Sequence, residues 1–164
     1  MVYFMNIFVD GGCRRNGTPG AYGAAAVVVK SRTGVVIDSY GDFIPQDPCP
    51  TNQRAELTAI IRGLRMAVNK NSTLQNRPCL DVKIYSDSTY AVNCMTLWID
   101  TWRRNGWRTY EGTPVLNQDL IIQAHELHDF LRELGNLNYY WILRGENREA
   151  DQLCNKVLDT YNRY

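Results

Sequence analysis

Along the chain the spacing of apolar positions changes period several times, and each change marks an element. Val2 to Asp10 mixes Val, Tyr, Phe and Ile and closes on Gly11-Gly12. Ala21 to Lys30 carries the run Ala24-Ala25-Ala26-Val27-Val28-Val29, and Val35 to Phe43 continues the β-forming pattern. Gly20, Gly34 and Gly41 punctuate these stretches, and short connections between consecutive strands predict an antiparallel meander. Thr51 then reads as a helix N-cap, with Pro50 blurring the boundary, and Leu57, Ile60, Ile61, Leu64, Ala67 and Val68 recur at helical spacing behind it. Pro78 ends the connection. Leu80 to Ser86 alternates Leu80, Val82, Ile84 against Asp81, Lys83, Tyr85, so it reads as a strand reached by a right-handed crossover. Short helices fill Ser88 to Arg104. A further helix begins near Pro114 to Asn117, its stripe Leu120, Ala124, Leu127, Leu131, Leu134 spaced 4, 3, 4 and 3, with Gly135-Asn136 as its stop signal. Tyr139 to Leu143 is the last strand, and Ala150, Leu153, Cys154, Val157, Leu158 and Tyr161 share one face of the last helix. The order predicts an α/β fold: a five-stranded mixed sheet, first three strands antiparallel, flanked by helices.

Composition narrows the function classes. The 164 residues carry 18 Lys plus Arg against 17 Asp plus Glu, a net charge of +1. One domain spanning 1–164 is expected from that length. A polyanion-binding footprint must therefore be a local patch. With 45% hydrophobic residues the chain is not disordered. No apolar run approaches the roughly 18 residues of a membrane span, and Met1-Val2-Tyr3-Phe4-Met5 lacks a basic leader, so no membrane association and no secretion are expected. Cys13, Cys49, Cys79, Cys94 and Cys154 are odd in number and form no CxxC pair, which points to reduced thiols in the cytoplasm or nucleus. His125 and His128 alone do not suggest a His-rich metal site; they read as surface or half-buried helix residues without a role.

Four acids fall where strands end or helices begin: Asp10, Glu56, Asp87 and Asp151. If strands 2–10 and 80–87 are adjacent, Asp10 and Asp87 stand side by side, and two helix starts bring Glu56 and Asp151 to the same rim. Two like charges 4 Å apart repel by about 4 kcal/mol at an effective dielectric of 20, so four clustered carboxylates call for cations. Hard oxygen ligands suit two Mg²⁺ ions, with Mn²⁺ as substitute, and a pair of such ions clamps the attacking and leaving oxygens of a phosphodiester displacement. Singly, each acid has a plainer reading: Asp87 as a helix cap, Asp151 as a complement to a helix dipole. Residues 98–109 hold three Trp, three Arg and one Asp, a local charge of +2. Rings interleaved with cations suit a phosphate backbone; the alternative is that the rings belong to the core and the arginines coat a surface. Gly106 interrupts the helix between Arg104 and Trp107 and favours a projecting basic lobe.

Phe8-Val9-Asp10-Gly11-Gly12-Cys13, Thr51-Asn52-Gln53-Arg54-Ala55-Glu56-Leu57 and Tyr85-Ser86-Asp87-Ser88 resemble the three acidic motifs of type 1 ribonuclease H. Trp98 to Thr109 resembles that family's basic protrusion, or handle, placed at about 98–110, and Asn147-Arg148-Glu149-Ala150-Asp151 resembles its final acidic motif. The similarity runs from about Met5 to Leu158. It implies a ribonuclease H-like fold and endonucleolytic hydrolysis of the RNA strand of an RNA/DNA hybrid, leaving 5′-phosphate and 3′-hydroxyl ends. It carries metal ligation and catalysis onto Asp10, Glu56, Asp87 and Asp151, and hybrid contact onto Asn16, Asn52 and Gln53 in the minor groove, where a 2′-hydroxyl tells RNA from DNA. It places Thr51 and Asn117 in a DNA-phosphate pocket, and Trp98, Trp102, Arg103 and Arg104 in the handle. The plainer readings are a turn at Asn16-Gly17 and helix caps at Thr51 and Asn117.

The chain departs from that pattern in three ways. The loop that often carries a histidine before the last acid is here Arg144-Gly145-Glu146-Asn147, without His, and Glu146 is the residue that would stand in. Cys49 stands where the phosphate pocket often has arginine. Nothing resembles the small N-terminal hybrid-binding module of many eukaryotic members. The competing expectations are a catalytically weak hybrid-binding module and the nuclease domain of a retroelement polyprotein. No organic small-molecule cofactor is expected, and the absence of an obvious exposed apolar stripe points to a monomer.

Overall fold

The computed structural model describes residues 1–161; of the expected domain 1–164, residues 162–164 lie outside the described residues. Five strands form one sheet: β1 (Val2–Arg14), β2 (Tyr22–Lys30), β3 (Val36–Phe43), β4 (Cys79–Ser86) and β5 (Gly135–Trp141), in the order β3-β2-β1-β4-β5. The first three pair antiparallel, and β4 and β5 add in parallel. The helices are α1 (Asn52–Thr73), α2 (Thr89–Thr96), α3 (Ile99–Arg104), α4 (Gln118–Leu134) and α5 (Arg148–Leu158). This is the mixed sheet expected from the hydrophobic pattern. No helix among the described residues is long and apolar enough to cross a membrane.

Both faces of β1 and β2 are covered, which explains the unbroken apolar run of β2. Neighbouring strand residues point to opposite faces. Ala25, Val27 and Val29 join the main core with Leu57, Ile60 and Leu64 of α1, whereas Ala24 and Ala26 join Cys154 and Leu158 of α5. Across the same face α4 packs against α1. Away from α5 the sheet carries a stack of Phe8, Tyr85 and Tyr140, with ring centroids 4.7 and 5.4 Å apart.

Three local readings change. β1 does not end at Gly11-Gly12 but stays paired with β2 as far as Arg14↔Tyr22. Gly11 is there because α1 comes so close that a Cβ would stand 2.2 Å from the Ala55 carbonyl carbon. β5 begins at Gly135, not Tyr139: α4 runs into the strand without a loop, and a Cβ at Gly135 would meet the Leu80 carbonyl oxygen at 2.0 Å. His125, expected at the surface or half-buried, is only 4% exposed.

Candidate active site

The parallel pairing of β1 with β4 runs through Val9↔Ser86, and Asp10 and Asp87 follow directly on that pair. Adjacency of two strand ends therefore sets two carboxylates side by side. α1 starts at Asn52 because the Thr51 hydroxyl accepts from the Arg54 amide at 3.1 Å. Glu56 then falls one turn in, where the Gly11 amide donates to its Oε2 at 3.2 Å. Asp10, Glu56 and Asp87 each offer an oxygen within 4.8 Å of the others. Asp151, in the first turn of α5, lines the same cleft of about 400 Å³ with them, together with Asn52 and Arg144. Arg144 reaches Asp151 at 3.5 Å while remaining 81% exposed. Asp87 does not cap α2; the Ser88 hydroxyl does, accepting from the Ala91 amide at 3.1 Å.

Crowding these acids changes their protonation. Asp10, 6% exposed, is pushed up to about 8, first by burial, then by the Asp87 charge and a hydrogen bond with Asp151. Burial, followed by the Asp10 and Asp87 charges, holds Glu56 well above the usual carboxylate range, against the pull of the Gly11 amide. Burial raises Asp87 too, with the Arg144 charge opposing it. Asp87 Oδ2 is buried and has no hydrogen-bond partner. An orphaned carboxylate oxygen among three hard oxygen donors fits a divalent cation of the Mg²⁺ or Mn²⁺ kind.

The residues expected to touch a hybrid form a connected rim beside the cleft. The Asn16 side-chain carbonyl accepts from the Asn52 amide at 3.3 Å, and the Asn52 side-chain carbonyl accepts from the Cys13 amide at 2.9 Å. Asn117 is almost buried and sits at φ 63° before α4 without capping it. Its amide instead donates to the Tyr90 hydroxyl at 3.1 Å and to Gln53 Oε1 at 3.5 Å, and its carbonyl accepts from Arg54 at 3.3 Å. Cys49 is exposed at this end.

The lobe at 98–110 combines both readings of its aromatics. Trp102 and Trp107 pack against the main core, while Trp98 is 37% exposed. Their rings form a chain, Trp98–Trp102 5.6 Å and Trp102–Trp107 6.1 Å between centroids. Gly106 (φ 74°) and Trp107 (φ 62°) turn the backbone, and a short bridge pairs Arg108 with Pro114. Arg103 is held by Asp129 at 3.0 Å, and Arg104 by the Asp100 carbonyl at 3.2 Å.

Glu146 is not brought to the acidic cleft. It is exposed in a 3₁₀ turn (Arg144–Glu146) and lines a separate recess with Phe8, Lys30 and Arg148. Two positioning groups escaped the sequence reading. Arg144 overhangs the acids from a connection that offered only its charge as a signal. Asn147 is 1% exposed and donates to the Val9 carbonyl at 2.8 Å, pinning the start of α5 to the strand that carries Asp10.

A model of the RNase H family matches residues 3–158. The ribonuclease H of Halorhodospira halophila is 35% identical, over 93% of this chain and 91% of its own length. Among solved structures, RNase H1 from the halophilic archaeon Halobacterium salinarum superposes with a TM-score of 0.66 at 22% identity, covering 95% of this chain and 98% of that one. LC11-RNase H1, solved in complex with an RNA/DNA hybrid, gives a TM-score of 0.66 at 21% identity over 95% of this chain and 97% of that one.

Proposed function

Because the chain belongs to the ribonuclease H family, a family of metal-dependent nucleases, we propose that it cleaves the RNA strand of RNA/DNA hybrids endonucleolytically by a two-metal-ion mechanism. The observation that carries this reading is the meeting of Asp10, Glu56 and Asp87 oxygens within 4.8 Å in a cleft that Asp151 closes. Two Mg²⁺ ions, or Mn²⁺ in their place, supply when bound a water acidic enough to attack near neutral pH and charge stabilisation on the attacking and departing oxygens. Asp10 and Asp87 would hold them from the paired strand ends, Glu56, tethered to Gly11, would orient the water side, and Asp151 would complete one site. Arg144, exposed at the rim, is placed to meet the backbone phosphate being cut. Asn16, Asn52 and Gln53 read the 2′-hydroxyl side of the groove. Thr51 and Asn117 hold a DNA phosphate, and the lobe with Trp98, Trp102, Arg103 and Arg104 lies along the DNA backbone. The products carry 5′-phosphate and 3′-hydroxyl ends, and the working unit is a monomer.

The test is incubation with a labelled RNA/DNA hybrid, an RNA duplex and a DNA duplex, each in Mg²⁺ and in Mn²⁺, with Asp87→Asn in parallel. Cleavage of the hybrid alone, abolished by the substitution, supports the reading. Tight hybrid binding without cleavage in either metal overturns it in favour of a binding module.

A further inference from the structure

Behind the lobe, on the outer half of α4, His125, His128 and Asp129 are grouped without any part in the cleft. Spacings of three and four residues put all three on one helix face, and each offers a ligand atom within 4.8 Å of the others. His125 is 96% removed from solvent, yet neither its Nδ1 nor its Nε2 has a hydrogen-bond partner. A buried imidazole kept for packing alone would satisfy at least its N–H, and an orphan of this kind points to an absent ligand. The His128 ring lies 5.0 Å from that of His125. Its Nδ1 shares a hydrogen bond of 2.9 Å with the Tyr139 hydroxyl on β5, which fixes the ring and leaves Nε2 free. Asp129 Oδ2 receives Arg103 at 3.0 Å, leaving Oδ1 free. These are the outer partners that orient metal-ligating imidazoles and carboxylates.

We propose that His125, His128 and Asp129 form a second metal site, for a borderline divalent cation of the zinc class. Two imidazoles and one carboxylate match that chemistry and not the all-oxygen preference of Mg²⁺. A tetrahedral site with 2.0–2.1 Å bonds would require the ligand atoms to draw together to an edge of about 3.3 Å. The neighbouring charges are Asp100, Arg103 and Arg132. Arg103 is already neutralised by Asp129. The site leaves a coordination position for water and ties α4 to the Arg103 end of the lobe.

The chain has two histidines, so its imidazole ¹H–¹⁵N spectrum contains two ring systems and resolves the question directly. Zinc chloride is titrated into the full chain in excess Mg²⁺, with Asp87→Asn, His128→Ala and Asp129→Asn as variants. Saturable shifts of both rings at one equivalent, unchanged in Asp87→Asn and weakened at least about tenfold in His128→Ala or Asp129→Asn, support the site. The exposed Asp129 keeps the test valid if His128→Ala fails to fold. Rings untouched by zinc, shifts lost in Asp87→Asn, or undiminished affinity in folded His128→Ala and Asp129→Asn overturn it.

Discussion

The acidic cleft and the basic lobe carry opposite charges and are built on opposite principles. In the cleft, like charges are forced together by the most rigid parts of the fold. Two paired strand ends and a helix start separated by no side chain at Gly11 bring them there, and the result is carboxyls pushed above their ordinary range and an orphaned oxygen. In the lobe, unlike charges are spread out. Arg103 has a carboxylate partner on α4 and Arg104 a backbone carbonyl within the lobe, and Trp102 and Trp107 are anchored inward. On the proposed function the first arrangement would gain stability when a cation enters, and the second, already satisfied, would exchange its partners for phosphates at small cost. Single changes should therefore act steeply in the cleft and gradually in the lobe.

The largest effect expected is on chemistry. Asp10→Asn should lower hybrid cleavage by about 10³-fold, since several kcal/mol of metal-borne charge stabilisation are lost, while circular dichroism stays that of the parent. A residual rate within tenfold of the parent would remove the contrast. Gly11→Ala comes next. The added methyl meets the Ala55 backbone, so α1 must retreat and Glu56 with it, costing about 1–3 kcal/mol in urea unfolding and about 10²-fold in cleavage. In the lobe, changing Trp102, Arg103 and Arg104 together to Ala should weaken hybrid binding by roughly tenfold and reduce its logarithmic salt slope by about one to two. An unchanged slope would sever the lobe from nucleic acid. The smallest effect is thermal. Without divalent cations the folded chain holds the Asp10 proton between its ordinary 3.8 and about 8, so over that window the native state binds more protons than the unfolded one. Stability then falls as pH rises. Asp10→Asn should flatten this decline and raise Tm at pH 8 by a few degrees, and added Mg²⁺ should raise the parent's Tm more at pH 8 than at pH 5.

Elements with a strong period were legible in the sequence: the meander, α1 behind Thr51, the alternating β4 and the apolar face of α5. The four acids were legible as candidates, but their meeting was conditional on β1 lying beside β4, a contact between segments 77 residues apart that no local pattern states. Glycines misled in both places where one meant close backbone approach instead of a turn. Gly11 continues a strand, and Gly135 opens one. The stripe read on α4 was Leu120, Ala124, Leu127, Leu131 and Leu134; Ala124 and Leu131 are buried and the other three pack half-buried against the core, but Ile121 and His125, outside that stripe, are buried as well. The helix is rotated by a fraction of a turn toward α1, and that rotation carries His125 inside. Asn147 was read as a motif residue, but its bond to Val9 spans 138 positions and becomes visible only in three dimensions.

The direct passage from α4 into β5 at Gly135 has a consequence for how the molecule breathes. With no loop between them, neither element can fray from that junction without dragging the other. The helix and this edge strand, together with the Trp141 indole that donates to the Asp87 carbonyl at 3.1 Å, should open as one cooperative unit. Amide protons of Leu131 and Leu137 should exchange with solvent deuterium at matched free energies, and the rim of the cleft beside Asp87 should loosen in the same event.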